Sequence, residues 1–172
     1  MRQNSPSPPT APTRYSSAEL LTTLSAQGYR WFTGVPCSLF GDLFTTVAED
    51  NDWTTVPATR EDLAIGTAAG LALSGQRPVV AMQNSAVGMI GNAVSSLLRM
   101  YGIHVLLLIS WRGEGADAPE HIESGRQMIE MLDLMGIRHE FAADASLLRP
   151  DFFGVGGPVA LIVRRGEMSD HA

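Results

Sequence analysis

The chain has 172 residues, 45% of them hydrophobic, enough to bury one sizeable core and too few for two ordinary domains. Its 18 acidic against 12 basic side chains give a net charge of −6 with no Lys/Arg run, which argues against a nucleic-acid or anionic-membrane surface but allows a small anionic substrate gripped by local arginines. The single cysteine, Cys37, excludes an internal disulfide framework and a cysteine-based zinc cluster. The longest apolar run, 105–109, is far too short to span a bilayer, and the N-terminus lacks an apolar signal segment; the expectation is a soluble cytoplasmic protein.

Residues 1–13 are mostly Pro, Ser and Thr and cannot bury enough surface to offset the entropy of ordering, so a disordered tail is expected there and one domain over 14–172. Ser16-x-x-Glu19 reads as a capping box opening a helix with Leu20, Leu21 and Leu24 on one side and Gly28 as its stop. A short aromatic strand at 29–33 leads into Gly34-Val35-Pro36-Cys37-Ser38 and a helix to about Glu49, with Leu39, Phe40, Leu43, Phe44 and Val47 as its apolar stripe. The second strand, 53–58, runs straight into a helix over 59–75, with Thr59 as its expected N-cap and Glu61 in its first turn.

That helix is rich in Ala and Gly (Ala64, Gly66, Ala68, Ala69, Gly70, Ala72). Glycine costs up to about 1 kcal/mol per site relative to alanine in a helix interior, so close approach of another backbone, subunit or ligand is expected to offset it. A third strand at 78–83 precedes Asn84-Ser85-Ala86-Val87-Gly88 and a helix to about Met100. The continuous apolar run at 104–110 reads as a central strand buried on both faces. A polar loop over 111–120, a helix ending at Gly136 and strands at 137–141 and 158–163 complete the chain. This alternation specifies an α/β fold with a mainly parallel six-stranded sheet flanked by helices in three layers. In such sheets ligands sit beyond the carboxyl ends of the strands.

The segments at that edge are 34–38, 59–62, 83–88 and 111–121. None is a phosphate-binding glycine loop, and His104, His121, His139 and His171 have no metal-ligand spacing, so no metal site is assigned. Cys37 reads as a small packed side chain. Trp111-Arg112-Gly113 places an indole and a guanidinium on a flexible loop, a combination suited to gripping an anion.

Four of these motifs together, Gly34-Val35-Pro36-Cys37-Ser38, Arg60-Glu61-Asp62 ahead of Ala69-Gly70, Gln83-Asn84-Ser85, and Ser110-Trp111-Arg112-Gly113-Glu114 with Glu120-His121 and Gly125-Arg126, resemble the pyrimidine-binding domain of thiamine-diphosphate decarboxylases. The closest look is to the sulfopyruvate and phosphonopyruvate decarboxylases, over about residues 15–165. The resemblance implies the thiamine-diphosphate-binding fold, with Glu61 as the catalytic carboxyl group that bonds the cofactor's aminopyrimidine and relays a proton. It implies that Val35, Pro36, Asn84, Ser85 and Gly88 line the cofactor, and that Ser38, Arg112, His121 and Arg126 face the substrate.

The loop reads Ala86-Val87-Gly88-Met89 where the family commonly has Gly-Leu-Gly-Asn. The family's diphosphate and Mg²⁺ motif, GDG followed at a distance by Asn, is absent: Gly41-Asp42-Leu43 lies within a helix pattern. The resemblance therefore implies a hetero-oligomer in which this chain is the alpha subunit and a separate beta subunit brings the Mg²⁺ and diphosphate site. The Ala/Gly-rich Glu61 helix would lie at their interface. The expected reaction is decarboxylation of a small anionic 2-oxo acid, 3-sulfopyruvate or 3-phosphonopyruvate, to the aldehyde. The alternatives are an acetolactate-type carboligase subunit and a non-catalytic binding or regulatory domain of the same fold.

Overall fold

Local signals start the fold where the sequence places them. In the computed structural model, which describes residues 14–142 and 156–168, Ser16 caps helix α1 (Ser17–Ala26) through the reciprocal bonds of the expected box. The backbone N–H of Ser16 donates to Glu19 Oε2 at 2.9 Å, and that of Glu19 to Ser16 Oγ at 3.2 Å, so two otherwise orphaned donors are satisfied at once. The tail expected at 1–13, and His171, lie outside the described residues.

Six strands follow: β1 (Trp31–Gly34), β2 (Thr54–Pro57), β3 (Pro78–Gln83), β4 (Leu106–Ser110), β5 (Arg138–Phe141) and β6 (Val159–Val163). They form one sheet in the order β2-β1-β3-β4-β6-β5, with every neighbouring pair parallel. Leu106, Leu107, Leu108 and Ile109 of β4 are fully buried, as a central strand covered on both faces requires. Each contributes at most about 1.5–3 kcal/mol relative to exposure.

The helices α2 (Leu43–Glu49), α3 (Glu61–Leu73), α4 (Gly91–Ala93, continuing as a π-helical segment, Val94–Arg99) and α5 (Pro119–Leu134) cover the sheet. Helices α1 and α2 pack on one face, around Phe32, Val79, Leu106 and Leu161. Helices α3, α4 and α5 pack on the other, around Val80, Met82, Leu107 and Ile162. Alternate residues of each strand thus feed opposite cores.

Three local expectations change. The helix expected to run unbroken to Glu49 is split into a 3₁₀ turn at Ser38–Phe40 and α2, because Gly41 takes φ 53° and Asp42 turns its carboxylate to the hydroxyls of Ser17 at 2.5 Å and Thr46 at 3.1 Å. The N-cap of α3 is Arg60 in place of Thr59, with no side-chain cap bond. The helix expected after Gly88 is a short α-helical segment followed by π-helical Val94–Arg99. Such insertions widen a helix locally.

Candidate functional site

The chain leaves β1 toward α2 on one face and leaves β3 toward α4 on the other, so a crevice opens between these adjacent strands at their carboxyl ends, the place where parallel sheets bind ligands. Gly34 makes the crevice possible: it takes φ 146°, and a Cβ there would lie 2.0 Å from the Ala81 carbonyl oxygen. Val35 N–H bonds that same oxygen at 3.0 Å, which directs Pro36, Cys37 and Ser38 across the top of β3. Gln83 receives them. Its Oε1 lies 3.5 Å from Cys37 Sγ, and its Nε2 donates to Ser85 Oγ at 2.7 Å and lies 3.4 Å from His121 Nδ1. Cys37 is buried here, as the packed reading expects.

Arg112, two residues after β4, is fixed from two directions. Asn84, 2% exposed, donates from Nδ2 to the Arg112 carbonyl at 2.9 Å and accepts the Arg112 N–H on Oδ1 at 3.0 Å. Asp117 takes the guanidinium side-on, from Nε at 2.8 Å and Nη2 at 2.7 Å. The remaining terminal nitrogen, Nη1, reaches Ser38 Oγ at 3.2 Å. Gly113 lets the loop fold back so tightly: at φ 82° its missing Cβ would lie 2.0 Å from the His121 carbonyl oxygen, and one on Gly125 would lie 2.6 Å from that of Arg112. The two glycines of the motif thus bring the Arg112 loop and the first turn of α5, with His121, into backbone contact.

Asp117 also accepts the backbone N–H groups of Gly113 and Ala118 at 2.9 and 2.8 Å. The Arg112 guanidinium first, and the Gly113 N–H next, hold its carboxyl far below the usual carboxylate range. It is a permanent anion at neutral pH, and Arg112 its permanent partner.

Glu61 is the first residue of α3, half-buried, and its carboxylate makes no hydrogen bond or ion pair among the described residues. Neighbouring Arg60 pairs with Asp62, Nη2 to Oδ2 at 2.9 Å, out in solvent. An apolar cavity of about 340 Å³ lies between β1, β2 and α2, lined among others by Gly34, Pro36, Phe44, Pro57 and Ala58. Its last lining residue, Ala58, precedes Glu61 by three positions.

Not every expected site residue joins this group. Gly88 lines a separate groove with Val87, Gly91, Met131, Leu134 and Met135, and Arg126 is exposed on α5 with no bond to the cluster. The Asn84 side chain, expected at the cofactor, is turned to the backbone of Arg112. Trp111 is held away from the Arg112 guanidinium: its Nε1 donates to the Gly125 carbonyl at 3.0 Å and its ring stacks on Phe141, centroids 5.8 Å apart. Of the departures from the family loop, Ala86 is a core residue at 4% exposure and Met89 is surface-exposed, with Sδ 3.8 Å from Arg60 Nη2.

Three residues of the cluster were not singled out from the sequence as site residues: Gln83, Asp117 and Arg165. Arg165 follows β6 and places Nη2 2.9 Å from Asp117 Oδ1. Asp117 carried a weak signal, an acidic residue between two loop glycines and the proline that starts α5. Arg165 carried none, since its partner is far away in the chain.

No family model matches the chain. Among curated proteins it is 34% identical, over 70% of its own length and 72% of the relative's, to the sulfopyruvate decarboxylase subunit alpha of Methanocaldococcus jannaschii. It is 37% identical to the protein of the same name from Methanococcus maripaludis, over 51% of this chain and 52% of the relative. A phosphonopyruvate decarboxylase of Streptomyces viridochromogenes is 31% identical over 76% of this chain, a match that spans only 33% of that longer protein.

Proposed function

We propose, from the premise that this chain belongs to the sulfopyruvate decarboxylase alpha-subunit family, that it is the alpha subunit of a two-chain thiamine-diphosphate-dependent decarboxylase of 2-oxo acids with an anionic group at C3. The substrate is 3-sulfopyruvate or 3-phosphonopyruvate, and the products are CO₂ and the aldehyde. The observation that carries this reading is the Arg112 guanidinium, anchored on Asp117 and presented to Ser38 in the β1/β3 crevice. A fixed guanidinium offers paired donors to a tetrahedral sulfonate or phosphonate. His121, held beside Gln83, supplies a further polar contact at the same crevice.

The residues present fit the pyrimidine half of the cofactor: an apolar cavity of about 340 Å³ flanked by Pro36 and Ala58, and a half-buried carboxylate with no partner of its own at Glu61. When bound, thiamine diphosphate supplies the electron sink that lets a 2-oxo acid lose CO₂. Glu61 would bond the pyrimidine N1′ and hold or return a proton there, and Val35, Pro36 and Ser85 would bound the ring and keep water from it. The sequence carries no GDG motif followed at a distance by Asn, and on that ground the diphosphate and Mg²⁺ are assigned to a partner beta subunit.

Mixing decides the reading. A thermal shift dependent on thiamine diphosphate and Mg²⁺, and CO₂ release from 3-sulfopyruvate, are expected only when the chain is combined with a GDG-bearing partner. Robust decarboxylation by the isolated chain would overturn the two-chain reading. A mixed complex that binds the cofactor yet releases CO₂ from no 2-oxo acid would make this a non-catalytic domain.

A further inference from the structure

Asp117 is the most heavily used side chain of the cluster. Its Oδ2 accepts from Arg112 Nε and Gly113 N–H, and its Oδ1 from Arg112 Nη2 and Ala118 N–H, with Arg165 Nη2 2.9 Å from that same Oδ1. Only 4% of the side chain is exposed, so these partners replace water almost completely. Two guanidinium groups, from loops after β4 and β6, therefore meet on one carboxylate oxygen. Without that anion they would repel each other.

We infer that Asp117 and Arg165 complete the anion subsite: Asp117 is a positioning residue that holds two guanidinium groups side by side, and Arg165 is the second group to receive the substrate's acidic tail. The inference rests on the proposed function for the identity of the tail, and on geometry for the site. Arg112 has three of its N–H donors committed, to Asp117 and Ser38, out of the five a guanidinium carries. One N–H is left on each terminal nitrogen, where a tetrahedral oxyanion can be met, with Cys37 a further neighbour of the guanidinium. Arg165 is half exposed and spends one nitrogen on Asp117 Oδ1, the oxygen that also accepts from Arg112 Nη2, which leaves its other donors near those of Arg112.

The next cation along is differently placed. Arg164 lies over the Phe141 ring at 3.9 Å and the Trp111 ring at 5.5 Å, with Nε 3.5 Å from Glu114 Oε1; it braces the aromatic shelf and its charge is matched. Arg112, Asp117 and Arg165 together carry one net positive charge. That charge complements a monoanionic sulfonate, with Ser38 Oγ at hand for a third oxygen.

The test uses the full chain and sulfoacetate, which has the acidic tail and no 2-oxo group to react. Guanidinium Nε–H signals of Arg112 and Arg165 should shift saturably as sulfoacetate is added. Arg165→Gln should weaken that binding about tenfold, the effect of one charge-assisted hydrogen bond, with the unfolding midpoint unchanged. Arg165→Lys should recover part of the loss, and Arg30→Gln, just ahead of β1 at the amino end of the strands, should cause no loss. Asp117→Asn should displace the Arg112 Nε–H signal before any ligand is added and weaken sulfoacetate binding as well. In the reconstituted enzyme Arg165→Gln should raise KM for 3-sulfopyruvate about tenfold, a larger change than in kcat or in KM for pyruvate. Unchanged sulfoacetate affinity in Arg165→Gln, or an equal loss in Arg30→Gln, would overturn the subsite. Sulfoacetate binding with the expected losses, but no decarboxylation by any reconstituted complex, supports the subsite and counts only against the catalytic reading.

Discussion

Replacing Asn84 by alanine should loosen the backbone of the Arg112 loop. The side chain is 2% exposed and bonds both backbone polar groups of Arg112, at 2.9 and 3.0 Å. Alanine leaves one N–H and one C=O without these partners. A fully buried orphan costs about 1–3 kcal/mol; Arg112 is half-buried, so water recovers part of the loss and the pair together should cost about 2–3 kcal/mol. For a chain of this size that lowers the melting midpoint by about 5–10 °C. Urea unfolding of the full chain should show a lower midpoint at constant slope, and hydrogen exchange at the Arg112 amide should accelerate by about tenfold or more. Asn84→Asp keeps an acceptor for the Arg112 N–H but sets a carboxylate oxygen against the Arg112 carbonyl, so it should be no better than alanine. A loss under about 0.5 kcal/mol, the ordinary scatter of surface substitutions, with unchanged protection of that amide, would refute the assignment of Asn84 as the loop's anchor.

Glu61→Gln in the reconstituted enzyme should lower kcat by at least about 10²-fold with assembly intact, since an amide can bond the pyrimidine but cannot relay a proton; normal exchange of the cofactor's C2 proton in that variant would exclude the role. Gly113→Ala should cost about 2–4 kcal/mol in urea unfolding, combining a left-handed backbone with a Cβ driven 2.0 Å from the His121 carbonyl; a neutral effect would mean the loop packs differently against α5. Tyr29 is fully buried with its hydroxyl 2.7 Å from His104 Nε2, and burial pushes its phenol up to about 12. The native state therefore retains this proton after the unfolded chain has lost it, so stability should fall as pH rises from about 10 to about 12, and Tyr29→Phe should flatten that fall.

What the sequence determined by itself lies mostly within a few residues of chain. The capping box at Ser16 and Glu19 forms as read because both partners are on one helical turn. The apolar run of β4 reads as a strand covered on both faces because it is too short for an ordinary helix and is bounded by turn residues, and the alternation of strands and helices then leaves little choice but a parallel sheet. Sequence order also put Glu61 at a helix start, Arg112 on a loop at the carboxyl edge and His121 just after that loop. The crevice chemistry needed the tertiary structure, because its bonds join residues far apart in the chain. Asn84 meets Arg112, and Arg165 meets Asp117, only after β3, β4 and β6 lie side by side. The N-cap of α3 and the break at Gly41 were likewise decided by packing: Asp42, which a local reading leaves inside a helix, is claimed by Ser17 of α1. Propensity ranks such choices by tenths of a kcal/mol, and one buried hydrogen bond to a charged group outweighs it.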